Sequence, residues 1–425
     1  MRLTTATLAA KWWEVVSQVL LVLVLPRALG PAPYGEFAVA FAAVTLLSVS
    51  LGLGAPLAAV RFVPALAPGE QLPATRTVLR RVAASRATVL LTVTVAAAAL
   101  VPTLLHVPLW ITLVVCLAAW WSVASSVASE ISLALSRTLA WNLRFPVENT
   151  LIVAVVPIGA AVDGAHGALT AMALACVATF GVLYSGLTRD LAAARSGAAL
   201  PPGATGYARV ETLVVILSTV VLRGGTLAVG LARTGRAQTG FAALALGAGA
   251  AGAGAMMELL SVHLPGWVPR YGTGTASSRE EPLRAARLAL AVAVGASLLA
   301  AVLARPAIHV LLGSAFVAAR HPLVLALPTA PLGAVLALAG VRTSLDLRPR
   351  LLALSWGAAA VTFVITAAIA VPLMHADGAA LAMSSGMLAG ALTSVVVIGG
   401  RELMEICVLA IVGAALVLAA GWAVG

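Results

Sequence analysis

Long apolar runs dominate the chain, and short clusters of arginine, proline and glycine separate them. The runs fall at about 8–28, 37–58, 87–105, 108–129, 147–163, 167–187, 210–230, 238–261, 285–304, 321–341, 351–371, 378–399 and 404–423. Each is close to the roughly 20 residues that an α-helix needs to cross a hydrocarbon layer. Turn-forming residues mark the gaps, as in Pro31-Ala32-Pro33, Pro201-Pro202-Gly203 and Pro349. The pattern predicts an all-α polytopic membrane protein with about 13 transmembrane helices, in a range of 12–14. The longest expected loops, at about 59–86, 188–209 and 262–284, share one side, and none is large enough to be a domain.

Composition agrees. The 425 residues are 61% hydrophobic and 10% charged, against about 45–50% and about 25% for a soluble domain. A soluble enzyme, a secreted disulfide scaffold and a disordered tail are excluded. The formal charge is +11, which in a soluble protein would suggest nucleic acid. Here the basic residues punctuate the gaps between spans and act first as topology determinants. Arg27, Arg233, Arg236, Arg305 and Arg320 fall on one side, Arg223 lies within a span, and the other twenty basic residues fall on the opposite side. The positive-inside rule then puts the N-terminus in the cytoplasm of a cell membrane. The first run contains Lys11 and Glu14 and ends in Leu29-Gly30-Pro31, which is not the pattern of a cleavable signal peptide. Cys116, Cys176 and Cys407 lie inside apolar runs and read as small core- or lipid-facing residues.

The sequence also resembles itself. Leu29-Gly30-Pro31-Ala32-Pro33-Tyr34-Gly35-Glu36-Phe37-Ala38 matches Thr234-Gly235-Arg236-Ala237-Gln238-Thr239-Gly240-Phe241-Ala242-Ala243, with Gly30 and Gly35 lying 205 positions before Gly235 and Gly240. Asp163-Gly164-Ala165-His166-Gly167-Ala168 matches Met374-His375-Ala376-Asp377-Gly378-Ala379 at a shift of 211. Two matches at nearly equal offsets predict a duplicated six-helix unit whose copies face the same way across the membrane. The expected layout is a lobe at 1–208, a second lobe at 209–400 and one further helix at 401–425.

The run from Leu29 to Phe37, followed by Leu51-Gly52-Leu53-Gly54 and Val60-Arg61-Phe62-Val63, resembles the opening of polysaccharide flippases of the multidrug/oligosaccharidyl-lipid/polysaccharide exporter superfamily. Leu311-Leu312-Gly313-Ser314-Ala315-Phe316 and Asp377-Gly378-Ala379-Ala380 fit the same family. The resemblance implies two pseudo-symmetric six-helix lobes around a central cavity. It also implies alternating-access flipping of a polyprenyl-diphosphate-linked oligosaccharide or polysaccharide precursor to the outer leaflet. The implied partners are the lipid-linked glycan, the bilayer and glycan-assembly enzymes; no cofactor, metal or nucleic acid is implied. The alternatives are a cation-coupled drug antiporter of the same superfamily and a membrane glycosyltransferase or polymerase. The transferase would need an Asp-X-Asp or a substantial outer loop with acidic residues, and neither is present. The only lysine, Lys11, is not in a P-loop, so the chain is not an ATP-driven pump by itself.

A charge inside a span is costly, about 2.5–3.5 kcal/mol at its centre, so the few such residues carry most of the functional information. Arg223 is the foremost. It either faces water and attracts an anionic head group or forms a buried structural pair; Glu258 is not its obvious partner. Lys11 and Glu14 share a face of the first span and mark either the mouth of a cavity or, with Trp12 and Trp13, an interfacial anchor. Arg61, at the inner end of the second span, would meet a phosphate or serve only as an inner-side charge. Arg223, Arg61 and Lys11 are the substrate-binding candidates. Glu14, Glu211 and Glu258 are the coupling or gating candidates, the latter two also suited to pairing with inner arginines. Glu130 and Glu148, near Arg137 and Arg144, read as a salt-bridged loop. His106, His166, His309, His321 and His375 fall in or beside outer connections and show no metal-ligand spacing.

Overall fold

A computed structural model describes residues 23–52, 62–105, 108–194, 203–261 and 276–424, with positions 13, 16, 17, 20, 59, 263 and 267. The chain runs through α1 (Pro31–Gly52), α2 (Pro68–Leu105), α3 (Leu109–Ala134), α4 (Thr138–Ala193), α5 (Ala204–Leu231) and α6 (Arg236–Ser261). It continues through α7 (Ala276–Leu312), α8 (Arg320–Ala326), α9 (Thr329–Leu345), α10 (Pro349–Met374), α11 (Ala376–Ile398) and α12 (Arg401–Ala423). Among the described residues nine helices are long and apolar enough to cross a membrane, and none of the elements is a strand. Large apolar side chains such as Val162 (82% exposed) and Val396 (81%) point outward, which is tolerable only where the surroundings are hydrocarbon. The protein is a multi-pass membrane protein.

Two differences from the expected spans have physical causes. α2 and α7 begin well before their apolar runs, so residues 68–86 and 276–284 of the expected loops at 59–86 and 262–284 are helical. Arginine, glutamine, leucine and alanine are good helix formers, and they carry the helix beyond the hydrophobic stretch. α4, at 56 residues, would be about 84 Å long if straight. It folds back at Asp163 and Gly164, whose φ/ψ values are −145/39° and 52/−133°. It is therefore two antiparallel spans, matching the runs expected at 147–163 and 167–187.

The chain divides into two compact units, residues 1–29 with 40–216, and residues 30–39 with 217–425. In unit 1, Tyr184, Leu187 and Leu191 of α4 pack with Leu90 of α2 and Val123, Val127 and Ile131 of α3. In unit 2, α9 is central; Ala334, Val335 and Ala339 have no exposed surface. The Thr329 hydroxyl donates to the Gly249 carbonyl at 2.9 Å, joining α9 to α6. α12 is held in unit 2 at both ends. Arg287 of α7 binds Glu405 at 2.8 Å, Arg342 of α9 binds Glu402, and Arg320 donates to the Gly421 carbonyl at 2.8 Å.

The internal repeat is visible in the backbone. Gly164 (φ 52°, ψ −133°) and His375 (φ 55°, ψ −117°), 211 positions apart, make the same kink. On its far side a Cβ on Gly167 would collide with the carbonyl of Gly159, and one on Gly378 with the carbonyl of Ala370, again at a shift of 211. At the other match, the Tyr34 amide donates to the Gly30 carbonyl and the Thr239 amide to the Gly235 carbonyl, both at 3.1 Å. Both glycines have positive φ, 73° and 113°, where a side chain is strained.

Candidate functional site

Arg223 belongs to unit 2 and sits late in α5, eight residues before its last residue Leu231, or about 12 Å along the axis. Thr219, Thr226 and Gly230 share its face of the helix. Thr219 and Thr226 are buried, and Gly230 lies against Val39 of α1. The guanidinium is half-buried. Among the described residues its one titratable neighbour of consequence is the phenol of Tyr34, and no carboxylate pairs with it. Gly224, the next residue, admits the ring of Phe363. Tyr34 is buried and packs edge-on against Phe316 with ring centroids 6.1 Å apart, and Phe241 also meets Phe316 edge-on at 6.1 Å. A guanidinium carries five donors in a planar fork that matches phosphate oxygens, and a charge within a span is costly to hold. Two open grooves in unit 2, one lined by Ala228, Phe363 and Pro372 and one by Arg305, Pro306 and His309, do not include Arg223.

The other candidates are dispersed. Lys11, Glu14 and Arg61 lie outside the described residues. Trp13, beside Glu14, donates its indole N–H to the Thr150 hydroxyl of α4 at 3.0 Å. Phe62, beside Arg61, meets Tyr207 edge-on at 5.8 Å, and the Tyr207 hydroxyl donates to half-buried Glu211. Glu211 thus belongs to the surroundings of the residue after Arg61, in unit 1. Glu258 is exposed three residues before the end of α6 and has a polar partner.

Unit 1 holds a polar cluster that corrects the expected salt-bridged loop. Glu148 is ten residues into α4, about 15 Å from its start, and it is not at a loop. Arg144 and Glu148 are one turn apart with side chains 11% and 12% exposed, Nε to Oε2 being 3.9 Å. Arg144 also donates to the Ser126 hydroxyl of α3 at 2.6 Å. The Cys176 thiol of the returning span donates to Glu148 Oε1 at 3.9 Å. Glu130 of α3 accepts from Trp141 and lies in the field of Arg144. Arg137 pairs elsewhere, with Asp190 at 2.6 Å. Cys176 is therefore a buried neighbour of a carboxylate and not merely an apolar filler. Its contact joins positions 28 residues apart, and no local spacing announces it. In unit 2, His321 Nδ1 lies 2.9 Å from Asp377 Oδ2 and its ring meets Trp422 edge-on, so that outer histidine is half of a specific pair.

No family model and no curated protein matches the sequence. Solved structures do. One is the lipid II flippase MurJ in an inward closed conformation, with a TM-score of 0.72 at 10% identity over 96% of this chain and 90% of that one. Another is an inward-facing multidrug-resistance MATE transporter of the MOP superfamily, with a TM-score of 0.63 at 15% identity over 92% and 95%. A third is a MOP superfamily transporter from Pyrococcus furiosus Vc1, described as having a binding pocket of reverse polarity, with a TM-score of 0.63 at 15% identity over 96% and 95%. The chain has the fold shared by the MurJ and MATE transporters of the MOP superfamily.

Proposed function

We propose that the protein is a membrane transporter, not an enzyme, that flips a polyprenyl-diphosphate-linked oligosaccharide or polysaccharide precursor from the cytoplasmic to the outer leaflet of the cell membrane. One observation carries the reading: Arg223 is a half-buried cation in a span, without a carboxylate partner among the described residues. The lipid tail of such a substrate is at home in the bilayer, whereas its charged, hydrated head cannot cross unaided. A protein lowers that barrier with a hydrated path and a fixed cation for the diphosphate. Arginine suits the task through its planar fork of donors. Arg61 and Lys11 are the further cations on this reading, the N-terminus is cytoplasmic, and glycan-assembly enzymes supply the substrate. The resemblance in fold to MurJ supports the reading, since that protein is a lipid II flippase.

Complementation of a flippase-deficient strain tests it. Arg223→Ala should insert normally and lose most glycan export; full complementation by that variant contradicts the assignment. A second reading, a cation-coupled drug antiporter, is favoured by the half-buried carboxylates Glu130 and Glu148 in unit 1. Efflux of a cationic dye that depends on a proton or sodium gradient, with no effect on glycan export, would select it.

A further inference from the structure

Beside the last two turns of α7, in unit 2, lies an open groove of about 400 Å³. Arg305, Pro306, His309 and Val310 of α7 form one wall, and Val317 of the 3-10 helix Ser314–Ala319 forms the other. Arg305 and His309 are one helical turn apart and share a face. Both are exposed, and among the described residues neither side chain has a partner. The other basic groups at this end of unit 2 are committed: Arg320 donates to the Gly421 carbonyl, and His321 meets Asp377. No acidic residue occurs between Glu281 and Asp346, so the two walls hold positive charge and nothing to offset it. Pro306 has no N–H to give the Val302 carbonyl, which interrupts the α7 ladder at the floor of the groove.

The level of the groove follows from α7 itself. Arg287 and Arg305 bracket the charge-free stretch 288–304, about 25 Å of helix, which is close to the roughly 30 Å hydrocarbon thickness. Arg305 therefore stands at the edge of the hydrocarbon, where a long basic side chain reaches the phosphates of the lipid head groups. Just inside that edge the same helix exposes Val302 and Leu299, a surface suited to an acyl chain. We propose that this groove holds one resident anionic phospholipid, its phosphate on Arg305 and His309 and a tail along Val302 and Leu299. The guanidinium fork grips phosphate oxygens, and the imidazole donates an N–H to them in either tautomer. A zwitterionic lipid fits less well, because its ammonium group would meet two basic side chains and no carboxylate. On the orientation given by the basic residues, the lipid belongs to the outer leaflet. The site does not include Arg223, and it stands whatever molecule the protein transports.

The test uses full-length protein carrying Leu299→Cys, about 9 Å deeper than Arg305 along α7, labelled with bimane; the native cysteines are all buried. In phosphatidylcholine vesicles, a small fraction of lipid is replaced by phosphatidylglycerol or phosphatidylcholine with brominated acyl chains, which quench bimane on contact. Brominated phosphatidylglycerol should quench severalfold more efficiently at equal mole fraction, and Arg305→Gln with His309→Gln should bring the two lipids to the same value. Equal quenching with the groove intact, or an undiminished preference in the double variant, overturns the proposal. Arg305→Lys should keep most of the preference, and its loss with the charge retained overturns an electrostatic site. Inorganic phosphate, compared with chloride at the same ionic strength, should leave the preference unchanged; its abolition would mean that the groove takes free phosphate, and the lipid assignment falls. Both side chains are exposed, so the double variant should unfold at the same temperature as its parent in phosphatidylcholine alone. Glycan export is not read in this assay, so its outcome and that of the flippase test are independent.

Discussion

Replacing Arg223 with methionine separates a substrate cation from a structural one by the sign of a stability change. A guanidinium at the centre of a span costs about 2.5–3.5 kcal/mol on insertion scales. Arg223 lies about 7 Å beyond the midpoint of the span Gly206–Leu231 and is half-buried, so we discount the cost to about 1–2 kcal/mol. Methionine keeps an unbranched, flexible side chain at the position while removing the charge. If no carboxylate holds Arg223, the variant gains that 1–2 kcal/mol; a broken buried pair would instead cost about 3–5 kcal/mol. Reversible unfolding in mixed micelles, with glycan export measured on the same variant, reads both quantities. The expected result is equal or higher stability with strongly reduced export. A loss of 2 kcal/mol or more would refute the reasoning, because the guanidinium would then be part of what holds unit 2 together.

In unit 1, Glu148→Leu should cost about 3–5 kcal/mol because it leaves Arg144 buried beside fewer acceptors, whereas Arg144→Met with Glu148→Leu should cost less than either single change; a double-mutant cycle by thermal unfolding measures this. Gly378→Ala and Gly167→Ala should each destabilise by about 1–3 kcal/mol, since the added methyl meets the Ala370 or Gly159 carbonyl; similar losses at the two sites would reflect their common origin. His375→Gly should stabilise by up to about 1 kcal/mol, because His375 has a φ of 55° at the position where the other copy has Gly164; a loss of stability would mean that the imidazole contributes more than the backbone costs.

The spans were legible because hydrocarbon imposes one constraint on every membrane helix, a continuous apolar length. The repeat was legible at Gly30/Gly235 and at Gly164/His375 because kinks and close approaches restrict residue choice more than lipid-facing positions do. The polar cluster of unit 1 was not legible. The apolar run begins near 147, which made Glu148 look terminal, whereas α4 begins at Thr138. Cys176 reaches Glu148 only because α4 doubles back at Gly164. The packing of residues 30–39 with unit 2 was likewise hidden, since the matching turns announce their kinship and not their contact. Of the candidate residues, Arg223 was legible because an arginine is conspicuous among leucines, but its neighbour Tyr34 comes from a helix almost 190 positions earlier in the chain.

Flipping of a labelled polyprenyl-diphosphate oligosaccharide by the purified protein in proteoliposomes, with and without proton and sodium gradients, is the most direct test. The unsubstituted protein should move the label to the opposite leaflet under at least one of these conditions, and Arg223→Ala should leave it where it started. No movement by the unsubstituted protein under any gradient, or equal movement by both proteins, would contradict the proposal.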